Sequence, residues 1–239
     1  MLRSMNKLLA THIAATDGNI GTLFDVYLDD VFWKIRYFVV DTGNWLPGKR
    51  VLIAPQSILE MPDNPPKVIP LNLTCQQVEE SPSYNTEKPI SRQYEISLHQ
   101  YYQWSGYWLL GNPYGILTPY HNIPDPEKAA AEELSTAPEH TNEHLRSGVE
   151  IMRYYVDACN GNIGHVEDFL IEDEDWRINY LILDTRNWWP GGKKVAIAQH
   201  WIENVDWNSS LIKVELSKEV VKNSPEFSYE NVNQKEIKV

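Results

Sequence analysis

The chain has 239 residues, 42% of them hydrophobic, with 21 Lys and Arg against 33 Asp and Glu and a net charge of −12. That length allows one or two domains, and the acidic balance argues against direct nucleic-acid binding and against adhesion to an anionic lipid surface. No apolar run reaches the ~18–20 residues of a bilayer span, and Met1–Ala15 is too weakly apolar for a signal-peptide core. A cytoplasmic chain is therefore expected, one that meets a membrane complex at most from its periphery.

In chain order, the first signal is a duplication. Asp17–Gly48 recurs as Asn160–Gly191, and 15 of the 32 aligned positions are identical, far beyond chance, so two similar folded units are expected. The match extends outward. Leu2-Arg3-Ser4 returns as Leu145-Arg146-Ser147, and Val51–Ala54 returns as Val195–Ala198 after one extra glycine in the pair Gly191-Gly192. Ser81-Pro82-Ser83-Tyr84 and Ser224-Pro225-Glu226-Phe227 close the two copies. The organisation is a first unit at 1–84, an acidic connector at 85–144, a second unit at 145–227 and a tail at 228–239, carrying net charges of −2, −5, −5 and 0.

Within a unit the pattern is β. Asp17-Gly18 and Asn160-Gly161 are hairpin-turn dipeptides whose residues tolerate positive φ. Strands are expected at Leu23–Leu28 and Val166–Ile171. A polar turn at Asp29-Asp30 or Glu172–Asp175 leads to the longest strand, Trp33–Asp41 or Trp176–Asp184. Simple alternation places Trp33, Ile35, Tyr37 and Val39 on one face, with Trp176, Ile178, Tyr180 and Ile182 in the copy. Phe38 and Val40 fall on the other face and need a cover, a helix or the sister unit. Short strands come next at Val51–Ala54 and Val195–Ala198, then last strands at Lys67–Leu73 and Leu211–Leu216. Thr74 and Ser217 read as N-caps of one short helix, stopped by Ser-Pro. About six short strands in ~80 residues suit a small closed or nearly closed barrel.

The connector differs in kind. Ile90, Tyr94, Leu98, Tyr101 and Tyr102 lie at helical spacing within Pro89–Trp104, with Pro89 at the helix start. An irregular aromatic stretch continues to His121, then a short helix near Glu127–Leu134 and a linker at Ser135–Asn142.

The hairpin Gly-Asn-Ile-Gly, the strand Trp-x-Ile-x-Tyr ending in Asp-Thr-x-Asn-Trp, the Pro-Gly turn and the Val-x-Ile-Ala strand together resemble the PRC-barrel family. The resemblance covers roughly 165 residues in two copies. It implies a mainly β fold of two small PRC-type barrels with short helices and a partly helical connector. Barrels of this kind form the cytoplasmic part of the photosynthetic reaction-centre H subunit and the carboxy-terminal domain of ribosome-maturation factors. The resemblance implies an interaction or assembly module rather than an enzyme, with no cofactor. This chain departs from the H subunit in lacking a membrane helix ahead of the barrel, and from the maturation factors in carrying a second barrel.

Candidate sites can be weighed one by one. Asp41-Thr42 and Asp184-Thr185 end equivalent strands and read as Asx-type turns that satisfy loop amides, not as an acid–base pair; Asp25 and Asp168 read as structural too. The acidic run Glu172–Asp175 lacks the glycine and spacing of a calcium loop. His140 and His144 do not follow the His-Glu-x-x-His order of metalloproteases, so no metal is expected. Cys75 and Cys159 sit at non-equivalent places and read as unpaired thiols. The aromatic turns are the best partner-binding candidates: Trp45, followed by Lys49 and Arg50, and Trp188 and Trp189, followed by Lys193 and Lys194. Tyr107 and Trp108 of the connector join them.

The leading functional expectation is a non-catalytic protein-interaction module with a protein partner or a second copy of itself. Two alternatives stand beside it. One is a small-ligand or electron-transfer accessory of the H-subunit kind; the other is a ribosome-assembly factor that binds a ribosomal protein rather than RNA.

Overall fold

The computed structural model describes residues 1–43, 45–61, 63–82, 84, 90–109, 144–186, 188 and 190–231. The first copy runs β1 (Leu2–Ser4), α1 (Met5–Leu8), β2 (His12–Ala15), β3 (Gly18–Asp29), β4 (Lys34–Asp41), β5 (Arg50–Ile53), β6 (Val68–Pro70) and α2 (Cys75–Glu79). The connector contributes α3 (Arg92–Tyr102) and a 3-10 turn at Tyr107–Leu109. The second copy runs β7 (Leu145–Ser147), α4 (Gly148–Ile151), β8 (Tyr155–Ala158), β9 (Gly161–Glu172), β10 (Arg177–Asp184), β11 (Lys194–Ala198), β12 (Ile202–Asp206), β13 (Leu211–Val214) and α5 (Lys218–Asn223). The expected helix near Glu127–Leu134 and the linker at Ser135–Asn142 lie outside the described residues.

The protein is mainly β, and its thirteen described strands join in one mixed sheet. The main path runs from β12 through β13, β8, β9, β10, β4, β3 and β2 to β6 and does not close on itself. Two features tie the copies together. First, β4 and β10 meet at Lys34 and Arg177: the Ile35 amide donates to the Trp176 carbonyl (2.9 Å) and the Ile178 amide donates to that of Trp33 (2.8 Å). Second, the amino-terminal strands are exchanged. β1 pairs with β9 of the second copy, and β7 pairs with β3 of the first.

The repeated Leu-Arg-Ser tripeptide makes the polar contacts that accompany that exchange. Ser4 caps α1 through the Lys7 amide, and its hydroxyl donates to Asp168 of the other copy at 2.5 Å. Ser147 caps α4 and donates to Asp25 at 2.6 Å. The Asn6 and Val149 amides complete the same two carboxylates at 2.9 and 3.0 Å. Arg3, only 1% exposed, reaches Asp173 at 2.6 Å and the Asp63 carbonyl at 2.6 Å, whereas Arg146 reaches Asp30 at 3.1 Å. Such buried charge is tolerable only because it is paired and hydrogen-bonded.

Three expectations need correction. The longest strands are β3 and β9, 12 residues each, and the strands after them begin at Lys34 and Arg177. Trp33 and Trp176 precede them with φ of 52° and 60°. Each indole crosses to the other copy, Trp33 edge-on to Phe169 and Trp176 edge-on to Phe38.

The facial alternation also fails. A bulge at Arg36, between the pairs Tyr27–Tyr37 and Leu28–Ile35, reverses the facing of the rest of β4. Ile35, Phe38 and Val40 therefore share the common core with Trp33, while Tyr37 and Val39 face outward. A matching bulge at Asn179 puts Ile178, Leu181 and Leu183 in the core and Ile182 outside.

The hairpin turns fall at Thr16-Asp17 and Cys159-Asn160. Of the two dipeptides, only Gly161 takes positive φ, at 119°. Asp17 and Asn160 instead accept the first amides of α2 and α5, from Cys75 at 2.7 Å and Lys218 at 2.9 Å. Thr74 and Ser217 cap those helices, as their sequence context implies.

The outer faces are covered differently. In the first copy Ile90 and Leu98 of the connector lie on Tyr37, Val39, Leu52 and Ala54. In the second copy Leu2, Phe227 and Tyr229 pack on Leu170, Ile182 and Ala196.

Candidate functional site

The two strand-end turns are built alike and finished differently. In the first, the Asp41 carboxylate accepts the Gly43 amide at 2.9 Å, and the Thr42 hydroxyl donates to the carbonyls of Leu46 and Lys49. In the second, Asp184 accepts the Arg186 amide at 2.8 Å, and Thr185 donates to Lys193. The Asx reading is met, although both threonine hydroxyls donate to carbonyls.

Position 43 is glycine where position 186 is arginine. The Arg186 guanidinium lies on Asp184, Nη2 to Oδ2 at 2.5 Å and Nε to both oxygens at 3.0 and 3.1 Å. Those bonds hold the Asp184 carboxyl down to about 2, against the opposing effect of burial. In the first copy the space stays open. His12, Asn19, Ile20, Gly21, Thr22, Asp41, Thr42, Gly43 and Trp45 line a cleft of about 310 Å³.

The aromatic candidates are anchored in the fold. Trp45 and Trp188 are half-buried against the common core, and Lys218 Nζ stands 4.5 Å from the Trp188 ring. Lys194 is held by Glu167 at 2.5 Å, and the Lys193 amide is bound by Thr185. Trp189 lies outside the described residues.

Tyr107 and Trp108 belong to a cluster that no sequence pattern announces. Glu95 of α3 is fully buried; its Oε1 accepts the hydroxyls of Tyr37 (2.9 Å) and Tyr107 (2.6 Å), and Arg92 Nη1 lies 2.9 Å from Oε2. His99 Nε2 lies 2.8 Å from the Tyr37 oxygen. Its Nδ1 faces the Ser105 carbonyl at 3.2 Å and donates there, so the one Tyr37 hydroxyl proton is shared between Glu95 and His99 Nε2. Burial, reinforced by the Arg92 charge, lowers His99 to about 4, while burial raises Tyr37 and Tyr107. At neutral pH the histidine and both tyrosines are uncharged around the Glu95 carboxyl group, an arrangement suited to clamping α3 onto β4. Trp108 stacks edge-on to His99 at 4.7 Å, with the Arg92 guanidinium 4.7 Å from its ring.

Among the described residues the exposed large apolar side chains are scattered, from Phe24 and Leu59 to Tyr155 and Val220, and two of them are adjacent. Val31 and Phe32, at the β3–β4 hairpin tip, are 45% and 44% exposed. The Arg36 guanidinium stands 5.9 Å from the Phe32 ring and 4.1 Å from the Tyr107 ring, joining the tip to the connector. The second copy carries Glu174 and Asp175 at the equivalent positions. Comparison of the copies could have singled out this pair, since the fold itself requires nothing apolar there.

Among the described residues no group of three His, Cys, Asp or Glu could hold a metal ion. His140 and Glu143 lie outside them, and His144 Nδ1 lies 2.9 Å from Asp30. Within the acidic run, Asp173 receives Arg3. Cys75 and Cys159 are free thiols. No helix is long and apolar enough to cross a membrane among the described residues. Comparison with protein-family models finds no match, and comparison with curated proteins finds none either.

Proposed function

We propose that this protein is a non-catalytic, cytoplasmic protein-interaction module built from two PRC-barrel-like units that complete each other. The observation that supports it best is the apolar tip Val31-Phe32, exposed beside Arg36 and Tyr107 where the sister copy is acidic. An exposed phenylalanine beside an arginine and a tyrosine presents the residue types enriched at protein interfaces. The charged groups of the most buried cluster are meanwhile consumed in fixing α3.

The test is site-specific photocrosslinking in the native cell, with the reactive group at position 32 or, as a control, at the exposed Glu203. One recurrent adduct at position 32, absent at 203 and lost in a Val31→Glu variant, is the expected result. Identical adducts at both positions would contradict it. A surface change of this kind leaves stability within about 0.5 kcal/mol.

A second reading, a small-ligand accessory, draws on the 310 Å³ cleft beside Trp45. That volume is at the lower end for small-molecule sites.

A further inference from the structure

The cleft beside Trp45 has an internal template. The second copy shows the same turn with its carboxylate occupied, because Arg186 lays a guanidinium on Asp184. The first copy keeps the carboxylate, the threonine, the asparagine at position 19 and the tryptophan, and replaces the arginine by Gly43. Among the described residues, Asp41 is left with one hydrogen bond, from its own turn. The cation beside it, Arg50, has Nε 3.9 Å from Asp41 Oδ2, too far for a hydrogen bond. Its guanidinium lies 3.5 Å from the Phe24 ring. The difference is explained one residue pair away. In the second copy the equivalents of Arg50 and Phe24 are Lys194 and Glu167, which pair with each other and leave Asp184 to Arg186.

We infer that the cleft formed by Asp41, Asn19, Trp45 and His12 binds the guanidinium of an arginine side chain presented by a partner protein. It would supply in trans what Arg186 supplies in cis. This deepens the interaction reading and rests on it for the source of the arginine. The chemistry fits a planar fork: the Asp41 carboxylate supplies the acceptor oxygens, and Asn19 and Trp45 line the same cleft. A net charge of −12 favours the approach of a cation. Arg50 is the fixed cation beside the cleft that opposes an incoming one, and His12 is part of the lining.

The experiment is titration of the ¹⁵N-labelled full chain, read at the Gly43 amide and the Trp45 indole. The probes are N-acetyl-arginine methylamide, its neutral isostere N-acetyl-citrulline methylamide, and free arginine. A saturable shift with the arginine amide and none with citrulline is the expected result. Asp41→Asn should weaken binding about tenfold, the loss of one charge-assisted contact. Arg186→Gly should add a second site, seen as new saturable shifts around Asp184 and Trp188.

Equal response to citrulline, an unchanged Asp41→Asn variant, or no second site in Arg186→Gly would each overturn the assignment. Free arginine binding more tightly than the amide would identify a free amino acid as the ligand and overturn the protein source. Crosslinking at position 32 does not involve the cleft, so a failed titration with persisting adducts refutes this site alone.

Discussion

Arg3 and Arg146 hold the same place in two copies of one tripeptide, and each makes its ion pair on the opposite copy. Identical residues therefore do not imply identical surroundings within one unit; here they imply reciprocity. His99 has no counterpart in the second copy, and its surroundings are correspondingly specific to α3. Burial lowers it from 6.5 to about 4. A folded value below the unfolded one contributes stability above pH 6.5, lost as pH falls toward 4. Urea unfolding should thus show a loss on the order of 2–3 kcal/mol across that window. His99→Gln should flatten the slope; an unchanged slope in that variant would place the acid sensitivity in another group.

Elements show where sequence patterns succeed and where geometry takes over. The helices capped by Thr74 and Ser217 were legible, and so was the connector helix, although it starts at Arg92 under a Ser91 cap rather than at Pro89, because caps, Ser-Pro stops and helical spacing act over a few residues. Facing along β4 and β10 was not legible, since one bulged residue at Arg36 or Asn179 inverts an alternation that holds on either side of it. The exchange of β1 and β7 leaves no local trace either: Leu-Arg-Ser would pair with β3 or β9 of its own copy just as well by pattern. Of the candidate site, Trp45 and its turn were legible, whereas the cleft depends on the contrast of Gly43 with Arg186. The Glu95 cluster depends on a tertiary contact between α3 and Tyr37. For the exchanged elements, a double-mutant cycle on Ser4→Ala and Asp168→Asn should give a coupling of about 1–2 kcal/mol between residues 164 positions apart. Additive effects would remove that contact from the energetics of folding.

At the scale of the molecule, the two copies form one structure. The common core draws buried residues from both, including Phe38 against Trp176 and Phe169 against Trp33. A unit of about 80 residues has a small core of its own, and sharing strands and tryptophans with a sister enlarges it. The most direct test is to insert a specific protease site between residues 115 and 135, cut the purified protein and measure both association and unfolding of the fragments. Mutual completion predicts that the two halves stay together through gel filtration and unfold in a single concentration-dependent transition. Halves that separate, each folded and each with its own transition, would contradict it.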